Sequence, residues 1–76
     1  MYVYDEREHK LLEYTSAKIE EIKSETSCNS FVITFSSPDG ESIQRKCRGY
    51  FEATEYMNEV ATAADAGATL ILVDNA

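Results

Sequence analysis

His9, Cys28 and Cys47 are the side chains best suited to covalent or metal chemistry, and their spacing points to neither. A Cys–His nucleophile needs the thiol and the only histidine to meet in space, and neither cysteine carries a flanking motif. His9 sits among Arg7, Glu8 and Lys10, where a solvated surface imidazole is the simpler reading. Cys47 lies between Lys46 and Arg48, two cations that would favour a thiolate. At a strand position, however, a cysteine is more simply a small core residue. Two cysteines and one histidine do not complete a zinc tetrahedron within one chain. Asp39-Gly40-Glu41 lacks the alternating oxygens of a calcium loop. Gly40, Gly49 and Gly67 stand apart and form no phosphate loop. The many carboxylates lie on polar faces rather than in facing pairs. The expectation is a protein with no catalytic residue, no metal and no cofactor.

The elements that would position any site are those of one small domain over residues 1–76. The chain has 14 acidic and 7 basic residues and a net charge of −7. A chain this short hides only roughly 60% of the surface that its unfolded form exposes, which disfavours a deep substrate cavity. The apolar run Ala68–Val73, broken by Thr69, falls far short of the ~20 residues that span a bilayer. MYVYDEREHK carries no basic stretch followed by an apolar one, so no secretory signal is read there, and Met1 reads as an intact start. With only two cysteines, a reduced, cytoplasmic setting is expected.

Between Asp5 and about Ser24, Tyr4, Leu11, Leu12, Thr15, Ile19 and Ile22 fall within one ~100° arc of a helical wheel, which predicts an amphipathic helix. Asp5 and Glu8 have the spacing of a capping box. A strand over Ala17–Lys23 competes, but its alternation breaks at Glu20-Glu21; against the helix, Thr15-Ser16 is a weak point. Phe31, Ile33 and Phe35 alternate, Pro38 and Gly40 suit a turn, and Glu41–Arg48 reads as the return strand with Ile43 and Cys47 inward. Phe51–Asp65 predicts a second helix with Ala53, Tyr56, Met57, Val60, Ala61, Ala63 and Ala64 on one face and Gly67 as its stop. Thr69–Val73 predicts a strand buried on both faces or central in its sheet. The expected fold is two-layer α+β, a small sheet covered by two helices; a strand at Tyr2–Tyr4 would make the order βαββαβ, which is ferredoxin-like.

Charge is distributed unevenly. Residues 50–76 carry five acids and no base, and Glu52, Glu55, Glu59 and Asp65 fall toward the outside of the second helix with Asn58 and Thr62 nearby. No Lys or Arg follows them at i+3 or i+4 to offset them. Such a face gives solubility, or it docks a basic partner. Phosphate repels a domain of this charge, so direct nucleic-acid binding is not expected. Gln44, Arg45, Lys46 and Arg48 form a basic stripe that protects a sheet edge or makes a small contact patch. Among five tyrosines, Tyr50 adjoins this stripe and the acidic helix.

In size, charge and plan, the acidic helix with Glu52, Glu55, Glu59 and Asp65 on a cofactor-free α+β chain resembles the small acidic inhibitors encoded by phages, anti-CRISPR proteins among them. The resemblance implies a non-enzymatic protein that binds a nuclease complex sterically or occupies its nucleic-acid path, in the host cytoplasm. The expected partner is thus a protein with a basic surface, met by Tyr50, Glu52, Glu55, Asn58, Glu59 and Asp65, with no membrane involved. Two other classes compete: a homodimeric structural or regulatory subunit that extends a sheet through the hairpin edge or Leu70–Val73, and a thiol-dependent enzyme using Cys47. Monomer and homodimer both remain open.

Overall fold

The computed structural model describes residues 1–23 and 30–74. Cys28, and any disulfide it forms, lies outside the described residues. The element order is β1 (Tyr2–Asp5), β2 (Lys10–Glu13), β3 (Ser16–Ile22), β4 (Ser30–Ser36), β5 (Ser42–Cys47), α1 (Tyr50–Asp65) and β6 (Leu70–Val73). The class is α+β, with two three-stranded sheets ordered β2-β1-β6 and β3-β4-β5. Among the described residues there is one helix, and five strands precede it. Neither the two-helix cover nor the ferredoxin-like order is found among the described residues.

Over residues 5–23 the expected helix is replaced by the end of β1, a turn, β2 and β3. Asp5 accepts the backbone N–H groups of Arg7 (2.9 Å) and Glu8 (3.3 Å). This is the side-chain turn that aspartate offers as an alternative to a helix start. The chain then reverses through His9, whose φ of 55° is left-handed. Leu11 and Leu12 consequently lie across from Tyr4 and Val3 in the antiparallel β1–β2 pair. β1 also pairs in parallel with β6, Val3 against Ile71 and Asp5 against Val73. Helix propensity over a Thr-Ser-interrupted segment is weak, and two sheet partners for β1 outweigh it.

The apolar stripe read on the wheel is in fact drawn from several strands. Val3 and Leu12 face the core while Tyr4 and Leu11 face outward. The competing strand reading for Ala17–Lys23 is close to β3, where Ala17 and Ile19 pack on the core despite the break at Glu20-Glu21. Tyr14 and Thr15 carry the chain from one sheet to the other. Tyr14 N–H donates to the Met1 carbonyl (3.2 Å) and Thr15 N–H to the Ser36 carbonyl (2.9 Å).

The hairpin matches its expected turn. Ser37 N–H donates to the Glu41 carbonyl and Gly40 N–H to that of Ser37, with Gly40 at φ 89°. Ile33 and Phe35 point from central strand β4 into a core shared with Val3, Leu12, Ile43, Cys47, Ala53, Val60 and Val73. On the opposite face Val32 and Thr34 are also buried. Their register neighbours are Glu20, Lys18, Lys46 and Gln44, long side chains whose stems cover apolar surface.

Helix α1 buries Ala53 and Val60 and half-buries Tyr56, Met57 and Ala63, but Ala61 and Ala64, expected on that face, are exposed. The buried stripe is narrower because α1 packs on β4 and β5 alone among its well-packed neighbours. Its end follows the six-to-one pattern of a Schellman cap: Ala68 N–H donates to the Ala63 carbonyl and Gly67 N–H to that of Ala64, with Gly67 at φ 87°. β6 is an edge strand, not a central one, and Leu70 and Leu72 are 48% and 56% exposed. Its continuous apolar run reflects one core face and one open face.

Phe35 is the largest fully buried side chain. Replacing it with alanine is expected to cost about 3–5 kcal/mol, much of a small domain's stability. Urea unfolding measures this; a loss below about 1 kcal/mol would contradict its central position.

Candidate protein-docking surface

Helical spacing brings Glu55, Asn58, Glu59, Thr62 and Asp65 onto the outer side of α1, and all five are exposed. Glu55, Asn58, Glu59, Thr62, Ala63 and Ala66 line an open depression of about 470 Å³. None of Glu55, Glu59 and Asp65 has an ion-pair partner among the described residues.

Glu52 behaves differently from this set. Its Oε1 accepts from Arg45 Nη1 at 3.3 Å, so a base on β5 offsets it through space although none does so along the helix. Strand alternation explains this pairing. Ile43, Arg45 and Cys47 share the core-facing side of β5, and the Arg45 guanidinium emerges beside α1. Its Cζ lies 4.2 Å from the centre of the Tyr56 ring, and Nη1 also contacts the Cys47 sulfur at 3.3 Å. The basic stripe expected on β5 is therefore divided. Arg45 joins the helix, while Gln44 and Lys46 turn to the opposite face and line a polar cleft with Asp5, Arg7 and Glu8.

Tyr50 is exposed and meets Phe31 edge-on at 5.6 Å. It lies off the side of α1 that holds Glu55 and Asn58. Phe51, outside the docking set expected from the sequence, is 79% exposed, the most open large apolar side chain among the described residues. Its place four residues before Glu55 and seven before Asn58 sets it on the acidic side. The helical wheel already carried that signal, because Phe51 falls opposite Ala53 and Val60. An exposed aromatic ringed by polar groups is the usual form of an interface anchor.

The residues first considered for chemistry are separated. Cys47 is buried in the core. His9 is exposed in the β1–β2 turn, its Nδ1 3.0 Å from the Tyr4 hydroxyl. Among the described residues no group of three His, Cys, Asp or Glu is placed to hold a metal ion. Nor, among the described residues, is any helix long and apolar enough to cross a membrane.

Burial pushes the Tyr56 phenol above its ordinary value, and the Arg45 charge over the ring only partly opposes this. The Tyr56 hydroxyl is enclosed with no hydrogen-bond partner among the described residues.

Two consequences can be measured. Arg45→Ala is expected to destabilise by about 1–2 kcal/mol through the lost ring contact and packing. Glu52→Ala is expected to cost only about 0–1 kcal/mol, as exposed pairs do; equal losses in chemical denaturation would refute the packing role. Above pH ~10 the unfolded chain gives up its tyrosine protons before folded Tyr56 does, so the folded state holds more protons and stability falls as pH rises. Tyr56→Phe should flatten that alkaline decline and, by removing an unpartnered hydroxyl, leave neutral-pH stability unchanged or higher. Melting curves from pH 7 to 11 test both effects. The chain matches no family model, no curated protein and no solved structure.

Proposed function

We propose that this protein is a non-catalytic binding module that docks the outer face of α1 on a basic surface of another protein. The observation that carries the reading is Phe51, 79% exposed on the helix side that also bears the unpaired Glu55, Glu59 and Asp65. Hydrophobic area supplies the affinity of such a contact, while carboxylates steer the encounter and select the partner's sign. Basic protein surfaces are commonly nucleic-acid-binding grooves. A domain that occupies one competes with phosphate, which makes inhibition of a nucleic-acid-handling complex the favoured outcome, in the manner of the phage-encoded inhibitors.

Glu52 is left out of the docking set because Arg45 holds it. Asn58 and Thr62 supply neutral hydrogen-bonding groups between the acids. Tyr50 extends the contact toward β4 through its packing on Phe31.

Affinity capture from nuclease-treated host lysate, with wild type and two variants side by side, tests this. Wild type should retain a basic nucleic-acid-binding protein at low salt and lose it as salt rises. Glu55→Lys/Glu59→Lys should slow association at least tenfold, and Phe51→Ala should speed dissociation. Capture that is unchanged in both variants, or insensitive to salt, overturns the acidic-face reading.

A further inference from the structure

The outer edge of β6 is open. Tyr2 N–H donates to the Thr69 carbonyl and Glu6 N–H to that of Val73, so residues 69, 71 and 73 turn their backbone groups toward β1. Alternation then directs the N–H and C=O groups of Leu70 and Leu72 outward, and no described strand pairs with them. Edge strands are ordinarily guarded by charge, proline or a bulge. Leu70-Ile71-Leu72-Val73 has none of these.

Beside this edge lies a groove of about 270 Å³, walled by Tyr56, Glu59, Val60 and Ala63 of α1 and by Leu70, Ile71 and Leu72 of β6. A free strand edge next to a helix-walled apolar groove is the arrangement that accepts an added strand, with backbone bonds supplying affinity and the groove reading alternate side chains.

The charge of the groove selects its occupant. Its ionic group is Glu59, and Glu55 and Asp65 stand exposed on the same helix. A second copy of this chain, paired edge to edge by a two-fold axis, would bring two acidic helices into proximity without a base between residues 50 and 74 to offset them. We infer that the β6 edge captures an extended segment of another protein, apolar at alternate positions and carrying Lys or Arg, as an additional strand beside α1. The segment's inward side chains fill the space against Val60 and Ala63. Its cation reaches Glu59, and its outward side chains continue the open face formed by Leu70 and Leu72. This deepens the proposed docking function by naming the form of the partner, and it shares Glu59 and Ala63 with the acidic face.

A random-peptide display library selected on the immobilised wild-type protein tests it. Leu72→Pro removes an outward N–H without touching the β1–β6 ladder. Selected peptides should alternate apolar residues with Lys or Arg, and should bind at least tenfold more weakly to Leu72→Pro. Glu55→Lys/Asp65→Lys, which lies outside the groove lining, should weaken their binding less than Leu72→Pro does. Should Leu72→Pro fail to fold, amide exchange in wild type decides: the Leu70 and Leu72 amides should slow at least tenfold when a selected peptide is bound. Failure to enrich any sequence, or unchanged exchange at both amides, overturns the inference. Peptides insensitive to Leu72→Pro but lost on Glu55→Lys/Asp65→Lys overturn the edge and leave the acidic face standing. A wild-type dimer in sedimentation that Leu72→Pro dissolves would make a second copy the occupant and overturn it as well.

Discussion

Phe35 is met edge-on by aromatic rings from two distant parts of the chain, Tyr14 at 5.0 Å and Tyr56 at 6.5 Å between ring centres. Those contacts join three parts of the molecule that otherwise share little backbone bonding. Tyr14 belongs to the crossing where the chain leaves one sheet for the other, Phe35 to the centre of the second sheet, and Tyr56 to the helix. Each ring buries a large apolar area and prefers an edge-on approach, so the cluster sets angles as well as separation. The helix has no side-chain cap at Gly49, which leaves its placement to packing of this kind.

This placement decides which acidic groups are available to a partner. With Tyr56 held inward, Arg45 lies over its ring and draws in Glu52, while the opposite side of the helix turns Glu55, Glu59 and Asp65 to solvent. A helix that is acidic along its whole sequence is thereby divided into a part that braces the fold and a part left for association. The same orientation keeps α1 from covering β6, and the apolar edge and groove follow from that gap.

The hairpin and α1 were legible because their information is local: alternation at Phe31, Ile33 and Phe35, a Pro-Asp-Gly turn, and a glycine stop at Gly67. The N-terminal third was legible only in its strand at Tyr2–Tyr4, which is β1, and the helix preferred after it failed for the opposite reason. Tyr4, Leu11, Ile19 and Ile22 fit a helical wheel, and strand partners outside the segment, β6 for β1 and β4 for β3, make the sheets the better solution. Asp5 read as a cap because it does bind the amides two and three residues on; the same bonds serve a tight turn. At the candidate site, the exposed acids were visible from helical spacing. The loss of Glu52 to Arg45 was not, since it depends on which face of β5 meets the helix. The exposure of Phe51 was within reach of the same wheel that placed the acids.

The parallel pairing of β1 with β6 has a kinetic consequence. Its two strands are separated by the whole of the second sheet and the helix. The hairpin and helix can form as soon as their own residues are available, because their turns are short. β1 has its neighbour β2 at once, but its second partner emerges from the ribosome only after every other described element has been made. Closing that long loop carries an entropy cost that contacts reward only when it is complete. The first sheet is therefore the late step in folding. Until it closes, Val3 and Val73, both fully buried in the native state, remain open to other chains.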